Sequence, residues 1–379
     1  MKLEKRLKEI LGPYEEGKVT IGVIGSHSAL DICLGAKEES LANVVVCQRG
    51  REMTYAHHYR SRKVSDLEVG IVDHVVLLDR FSDVLREDVQ SRLRDMRTVF
   101  VPNRSFAVYV PYDGIEQDFL VPIFGNRYLL RAEERYTERN QYSLLEKAAI
   151  RTPRRFSRHD EIDRLCIVKV PEAQRQYERG FFLASSPSDF ERKSAKLADK
   201  GLISADSLGR ATIEEFLLGA HFNFNFFYSP LTGELELLGV DTRRQTNLDG
   251  ILRLPASEQL AIMDREDVKR IEIGHFACTV RESLLEQAFE LGERFVRVAR
   301  SEYPPGIIGP FALQCMITPG PPHEEIVVFD ASLRMPGSPG TKFTPYSEYL
   351  WRRSISFGRR IAMEVRRAIQ ESRLAEVVT

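Results

Sequence analysis

Ser26, His27 and Ser28 follow one glycine between the apolar run Val19–Ile24 and the helical pattern Ala29–Ser40. Backbone amides and the helix dipole make such a strand-to-helix turn an anion site, with Ser26 or Ser28 as its N-cap. A plain capped turn explains the same pattern. The imidazole of His27 favours a ligand site, because α/β proteins place ligands in crevices of this kind.

A second polar group follows the last apolar run of the same region. Asn103, Arg104 and Ser105 come directly after Thr98–Pro102 (TVFVP). Parallel strands end at one edge of a sheet, so these side chains would face the crevice that contains His27. Arginine and serine suit a phosphate ester there, although a solvated loop remains an alternative.

Lys169 ends the run Cys166-Ile167-Val168-Lys169. A lysine within an apolar strand needs an anionic partner or a path to water, and a nucleotide phosphate is one such anion. Glu214 and Glu215 stand at the entry to another strand, where one carboxylate would hold a ribose hydroxyl. The alternative is an ordinary charge at a sheet edge.

Gln314 lies on one predicted strand and Asp330 at the end of the next. Across a hairpin, these two oxygen donors would hold Mg²⁺ that bridges nucleotide phosphates. One carboxylate with an amide is a weaker divalent site than two carboxylates.

Composition excludes several classes of protein. The 379 residues include 54 basic and 55 acidic side chains and are 43% hydrophobic, which indicates neither disorder nor a nucleic-acid-binding charge. Five dispersed cysteines predict buried, reduced thiols. The start of the chain lacks a signal-peptide pattern, and no stretch is long and apolar enough for a membrane span, so we expect a cytoplasmic protein.

The elements that must position these residues change along the chain. Short apolar runs alternate with helical patterns through the first 125 or so residues, which predicts βαβ units and a parallel sheet. A helix is predicted over Arg127–Ile150. The strand-like runs that follow predict a largely antiparallel sheet with few helices, then a long helix over Arg281–Glu302, two strands, and a last helix over Ile355–Leu374.

Long blocks of the sequence resemble the ATP-grasp ligases, and among them the archaeal family of FAICAR synthetases (formate-dependent 5-formaminoimidazole-4-carboxamide ribonucleotide synthetases). The blocks include IGVIGSHSALDICLGAKEE, FFYSPLTGELELLGVDTRRQTNLDGILRLPASEQL, PPGIIGPFALQ and SFGRRIAMEVRRAI. The resemblance implies a Rossmann-like substrate domain over residues 1–125 and an ATP-grasp domain over 126–379, with an ATP-lid subdomain over roughly 151–215.

The resemblance also implies site roles, ATP and Mg²⁺ or Mn²⁺ as cofactors, and small-molecule substrates: formate and aminoimidazole carboxamide ribotide. The expected ribotide-binding residues are His27, Ser26, Ser28, Arg104, Ser105 and Asn247. The expected nucleotide residues are Lys169, Glu214, Glu215 and Leu217. The expected catalytic cations are Lys169, Arg175 and Arg179, and the expected metal ligands are Gln314 and Asp330. A homo-oligomer without nucleic-acid or membrane partners is expected.

The sequence departs from the family around the nucleotide. The stretch after Lys169, which is glycine-rich in the family, keeps one glycine between residues 170 and 180, so backbone cradling of phosphate is reduced. Ser143 stands where the family has another lysine, Asn103-Arg104 replaces a histidine-glycine pair, and residues 334–342 replace a glycine-asparagine loop.

Three functions follow from this pattern. The first is ligation of formate to the ribotide amine through formyl phosphate, the second is the same chemistry on another acid or amine, and the third is a catalytically silent subunit that binds a nucleotide or ribotide. The exposed, arginine-rich last helix would serve an oligomer interface.

Overall fold

The computed structural model describes residues 9–14, 18–135, 137–170, 180–263, 271–320 and 322–379. The first part is a parallel four-stranded sheet of order β5-β2-β1-β6. Its strands and a small exposed hairpin, β3–β4, are β1 (Thr20–Ile24), β2 (Ala42–Gln48), β3 (Arg62–Val64), β4 (Leu67–Val69), β5 (His74–Leu78) and β6 (Thr98–Phe100). All five residues of β1 are buried, as expected of a parallel strand covered on both faces.

Helices α1 (Ala29–Glu38), α2 (Glu87–Asp95) and α3 (Arg104–Tyr109) belong to this part. The predicted parallel sheet and α/β class are confirmed. Phe81–Leu85 forms a 3-10 turn, and α2 starts after it at Glu87.

The helix predicted over Arg127–Ile150 is wrong. Arg127–Glu133 is a 3-10 helix, and α4 covers only Gln141–Lys147. Asn140 explains the interruption, because its side-chain oxygen accepts from the backbone amides of Tyr142 and Ser143 and starts a new helix.

The middle of the chain forms an antiparallel sheet of order β7-β10-β8-β9. Its elements are β7 (Arg155–Phe156), β8 (Cys166–Val170), β9 (Gly180–Ala184), α5 (Pro187–Asp199), α6 (Ala205–Gly209) and β10 (Thr212–Glu215). The expectation of few helices overlooked α5, although Ser186 at its N-cap and Pro187 at its first position are ordinary start signals.

A five-stranded antiparallel sheet of order β13-β12-β11-β14-β15 forms the centre of the second half. Its elements are β11 (Ala220–Ser229), β12 (Glu234–Gln245), α7 (Leu248–Ile251), α8 (Ala256–Met263), β13 (Glu272–Cys278), α9 (Leu285–Glu302), β14 (Gly309–Thr318) and β15 (Glu325–Ser332). The long helix is confirmed as α9, which packs its buried face on this sheet. Strand β13 was not predicted.

The remaining short helices are single turns. They are Thr54–His58, Gly114–Asp118, His159–Glu161, Glu282–Leu284, Pro339–Phe343 and Leu374–Glu376. None of the described helices is long and apolar enough to cross a membrane.

The chain closes with α10 (Tyr346–Trp351) and α11 (Phe357–Gln370). Helix α11 crosses α1 at Gly35 and Gly358, where a Cβ on Gly35 would lie 2.0 Å from the backbone carbon of Gly358. The prediction of an exposed last helix is therefore wrong. Arg360 is 3% exposed and pairs with Glu236 and Glu364 at 2.7 and 2.8 Å.

Candidate active site

A cleft of about 500 Å³ lies where the carboxyl edge of the parallel sheet faces the five-stranded sheet. Five of the predicted residues line it: His27, Arg104, Lys169, Gln314 and Asp330. They come from the turn after β1, the start of α3, and strands β8, β14 and β15. The fold therefore brings together positions that are up to 303 residues apart in the sequence.

The turn after β1 is held by side chains rather than capped by its serines. Asn103 donates from its amide nitrogen to the carbonyl oxygens of Ile24, Ser26 and His27 at 2.9, 3.0 and 3.1 Å. Ser28 occupies the N-cap position with φ of 61° but makes no capping bond. Its hydroxyl instead donates to the carbonyl of Pro336 at 2.7 Å. The expected serine cap is therefore wrong.

His27 presents a neutral imidazole to the cleft. Burial lowers its pKa to about 4, and the charges of Arg334 and Arg104 act in the same direction. A Cβ on Gly337 would lie 3.0 Å from His27 Nδ1 and 3.8 Å from His275 Nε2. The loop that contains Gly337 therefore passes close to both rings.

The residues after β6 divide between cleft and core. Asn103 is fully buried and caps α3, because its side-chain oxygen accepts from the backbone amide of Phe106 at 3.1 Å. Arg104 faces the cleft, whereas Ser105 is 4% exposed and is not among the described residues that line it.

Lys169 is buried in the cleft wall and pairs with Glu214. The distance from Lys169 Nζ to Glu214 Oε2 is 2.5 Å, and the exposed fractions of the two side chains are 8% and 1%. Tyr142 donates its hydroxyl to the other carboxylate oxygen. Burial lowers the pKa of Lys169, and the carboxylate of Glu214 opposes that effect. Glu214 thus lies behind Lys169 and is not among the described residues that line the cleft.

Five further predicted residues either do not line this cleft or lie outside the described residues. Glu215 pairs with Arg164 at 3.3 Å, Leu217 is partly buried after β10, and Asn247 precedes α7 with φ of 40°. Arg175 and Arg179 lie outside the described residues.

Gln314 and Asp330 are paired across β14 and β15, as the metal prediction requires. Each already has a cationic partner, however. Arg135 Nη2 lies 2.9 Å from Asp330 Oδ1, and Arg243 donates to the amide oxygen of Gln314. Carboxylate and amide oxygens are suitable ligands for Mg²⁺, so the pair fits the ion in ligand type, but the ion would share these oxygens with two guanidinium groups that already donate to them.

No group of three or more histidine, cysteine or acidic side chains is arranged for a metal ion within the described ranges. A divalent ion at this cleft would therefore need oxygen atoms from its ligand as well as from Gln314 and Asp330.

The prediction missed a polar cluster on strands β12 and β13. His275 lies between Asp241 at 2.5 Å and Glu272 at 2.7 Å. Asp241 is fully buried and also accepts from Asn223 and Asn225 at 2.8 and 2.6 Å. A charge inside an apolar strand, the signal that identified Lys169, was present at Asp241 as well.

Arg334 and Glu133 were also missed. Arg334 Nη2 lies 3.5 Å from Glu133 Oε2, and both residues line the cleft. Burial lowers the pKa of Arg334 and raises that of Glu133. Within the described part of the chain, Arg334 Nε is buried without a hydrogen-bond partner, which leaves a donor for an anion.

The described lining has more positive than negative charge. Its cations are Arg104, Arg135, Lys169, Arg210, Arg243 and Arg334, joined by His275, whose pKa is raised to about 9 because its bonds to Asp241 and Glu272 outweigh the effect of burial. Its acids are Glu133, Glu134, Asp241, Glu272 and Asp330. Seven positive groups against five acids favour a polyanionic ligand.

Comparison with known proteins agrees with this geometry. Residues 21–156 match a family described as a protein of unknown function (DUF1246), and residues 189–379 match a domain of unknown function (DUF1297). The chain is 40% identical over 376 residues to 5-formaminoimidazole-4-carboxamide-1-(β)-D-ribofuranosyl 5'-monophosphate synthetase of Methanopyrus kandleri, covering 99% of each chain. The chain belongs to this synthetase family.

Solved structures share the fold of this chain. The IMP biosynthesis protein PurP from Thermococcus kodakaraensis superposes with a TM-score of 0.70 at 31% identity, over 95% of this chain and 100% of that one. The biotin carboxylase domain of the Hydrogenobacter thermophilus 2-oxoglutarate carboxylase, solved with MgADP, ADP and bicarbonate, gives 0.59 at 10% identity, over 92% and 70%. The fold is that of ATP-grasp ligases, as the sequence predicted.

Proposed function

We propose that the chain is an ATP- and formate-dependent carbon–nitrogen ligase that formylates the amine of 5-aminoimidazole-4-carboxamide ribonucleotide. The observation that carries this proposal is 40% identity to a synthetase of the formylated product over 99% of the chain. The cation-rich cleft between the two sheets supports it, because both ATP and the ribotide are phosphate esters.

The proposed reaction has two steps. A formate oxygen attacks the γ-phosphorus of ATP, the bond to ADP breaks, and formyl phosphate forms. The ribotide amine then attacks the formyl carbon, phosphate leaves with that formate oxygen, and the nitrogen loses a proton. Positioning and charge neutralisation do most of the work in phosphoryl transfer.

The β8 side of the cleft would hold the nucleotide. Lys169 would contact phosphate, while Glu214 keeps its ammonium group in place. Glu215 and Leu217 would contact the nucleoside, and Arg175 and Arg179 would cover the phosphates. Gln314 and Asp330 would hold Mg²⁺ or Mn²⁺, which would supply charge neutralisation at the phosphates.

The turn after β1 would hold the ribotide. The His27 ring would form a hydrogen bond with the ribotide as a neutral imidazole, because its pKa of about 4 leaves the ring uncharged at neutral pH. Arg104 would bind the ribotide phosphate with the unsatisfied Nε of Arg334 beside it. Ser26, Ser28 and Ser105 would shape the turn, and Asn247 would approach from α7.

Phosphate release from ATP tests the function. We expect release that needs both formate and the ribotide, with one formylated ribotide made per phosphate. Phosphate release that neither compound stimulates would contradict the proposal.

The single glycine between residues 170 and 180 favours a second candidate, a relative that acts on another acid or amine or that binds ligands without catalysis. Calorimetry separates these possibilities. ATP binding in the presence of Mg²⁺, without turnover of formate, supports another substrate, whereas ribotide binding without ATP binding supports a silent subunit.

We also propose the division into residues 1–125 and 126–379, with a lid over 151–215, a cytoplasmic location and a homo-oligomer. Exposed apolar side chains on edge strand β13 support self-association: Ile273 is 66% and Phe276 47% exposed. Light scattering of the purified protein would test this, and a monomer would contradict it.

A further inference from the structure

A connected set of polar side chains crosses the floor of the cleft. Both ring nitrogens of His275 face carboxylate oxygens, at 2.5 Å from Asp241 and 2.7 Å from Glu272. An ionised carboxylate only accepts hydrogen bonds. Two such contacts therefore require a ring with both nitrogens protonated, which is an imidazolium.

The set continues to the predicted metal position. Glu272 Oε2 lies 2.9 Å from Arg243 Nε, which makes an ion pair without hydrogen-bond geometry within the described residues. Arg243 donates to the amide oxygen of Gln314, and Gln314 donates to the hydroxyl of Ser332 at 3.1 Å. An ion pair and a hydrogen bond thus connect Arg243, at the Gln314–Asp330 pair, to His275 through Glu272.

We propose that His275 is a positioning residue which, as an imidazolium held between Asp241 and Glu272, orients Arg243 toward the phosphoryl group of the bound nucleotide. This inference rests on the proposed function. Arg243 would touch the ligand, and His275 would act through Glu272 without touching it.

A neutral ring would not support this arrangement. It could donate to only one of the two carboxylates, and the other would be left as a nearly buried acceptor without that donor, since Asp241 is fully buried and Glu272 is 24% exposed. Glu272 would then turn away from Asp241 and release Arg243.

The surroundings keep the ring charged at neutral pH. Burial lowers the pKa of His275, but the bonds to Asp241 and Glu272 outweigh that effect and raise it to about 9. Among the described residues, Arg243, His221 on β11 and His27 in the turn after β1 also lie near it. We therefore expect the contribution of His275 to be present below about pH 9 and lost above it.

Matched variants of the full-length chain test the inference. His275→Gln removes the charge, and His275→Lys restores a cation that donates to both carboxylates. His221→Gln is the control, because the His221 ring pairs with the Thr242 hydroxyl at 3.1 Å and packs beside Phe329. A non-hydrolysable ATP analogue with Mg²⁺ is titrated into each, and kcat and KM for the ribotide are measured across pH.

For His275→Gln we expect about tenfold weaker analogue binding, which is about 1.4 kcal/mol, and kcat lower by roughly 10²-fold with KM for the ribotide unchanged. His275→Lys should regain most of the binding and should shift the alkaline limit of kcat upward. His221→Gln should behave as the unmodified chain.

Equal analogue binding by His275→Gln and His221→Gln would overturn the inference, even in a chain that formylates the ribotide. An unmodified chain that makes no formylated product would overturn the proposed function instead, and the binding comparison would still decide the role of His275. Nitrogen NMR of the unmodified chain gives an answer that needs no variant to fold, because a neutral His275 ring at neutral pH would also overturn the inference.

Discussion

Two regions of the molecule bury charged groups, and they differ in what surrounds those charges. The seam of α11 with α1 and with the five-stranded sheet contains Asp31, Gly35, Gly358 and Arg360, and the cleft contains Lys169 and its neighbours. In the seam, Arg360 pairs with Glu236 and Glu364 and lies over the Phe227 ring at 4.1 Å. In the cleft, Lys169 pairs with one carboxylate and lines an open space.

The difference teaches that a buried ion pair alone does not identify a functional site. In the seam, acidic partners and aromatic rings enclose the arginine. In the cleft, the described cations outnumber the acids and Arg334 retains an unsatisfied donor. We infer that the seam holds the two halves of the chain together, while the cleft is built for an anionic ligand.

The largest effect is expected in the seam. Arg360→Met leaves Glu236 and Glu364 buried without their cation, so the free energy of unfolding should fall by about 3–5 kcal/mol. Urea denaturation measures it. Arg367→Met is the control, because Arg367 is 48% exposed and its pair with Glu371 should contribute less than about 1 kcal/mol. Equal effects of the two variants would contradict the account of the seam.

Lys169→Met should act on turnover. Loss of a cation aimed at a transferring phosphoryl group should lower kcat by roughly 10²–10³-fold, as measured by phosphate release. Lys193→Met is the control in the same part of the chain, because Lys193 pairs with Asp189 on the surface of α5. If Lys169→Met retains the turnover of the unmodified chain, Lys169 does not stabilise the transferring phosphoryl group.

Asp31 should make the seam sensitive to pH. Burial raises its pKa to about 6 from 3.8, although its carboxylate accepts from the backbone amide of Gly358 at 3.1 Å. The folded state therefore binds more protons than the unfolded state between these values, so unfolding free energy falls as pH rises through them. Asp31→Asn removes this fall.

The stability difference between Asp31→Asn and the unmodified chain should accordingly grow between about pH 4 and pH 7, to about 3 kcal/mol. This value follows because each tenfold difference in proton affinity between the folded and unfolded states corresponds to about 1.4 kcal/mol. Urea denaturation at both ends of that range measures it. Asp206→Asn is the control, since Asp206 is 82% exposed. A difference that is independent of pH would show that Asp31 does not titrate in this way.

The smallest effect is expected from Gly337→Ala. The added Cβ would crowd His27 Nδ1 at 3.0 Å, whereas Gly340→Ala in the same loop would meet only Ala277 at 3.9 Å. We expect about tenfold weaker ribotide binding for the first variant and no change for the second. Calorimetry compares ribotide binding by the two variants, and equal binding would show that the loop does not contact the ribotide.

The sequence predicted those features that local pattern determines. Continuous apolar runs indicated the parallel sheet, and the amphipathic pattern of Arg281–Glu302 indicated α9. The helix over Arg127–Ile150 was wrong because Asn140 restarts the helix. Helix α11 was misread because packing that only the fold reveals buries one of its faces, including Arg360, while Arg367 stays exposed.

The site could be predicted where one residue carried the signal. His27, Lys169, Gln314 and Asp330 stood out singly, and the fold places them in one cleft. The cluster of Asp241, Glu272 and His275 depends on the pairing of β12 with β13. Strand register between segments this far apart cannot be read from local sequence.

The central claim is that the cleft activates formate with ATP and passes the formyl group to the ribotide amine. Formate with ¹⁸O at both oxygens tests it most directly, since the proposed steps leave one formate oxygen on phosphate and the other on the product. We predict inorganic phosphate that carries one ¹⁸O per formylated ribotide. Product formation with unlabelled phosphate would contradict the account.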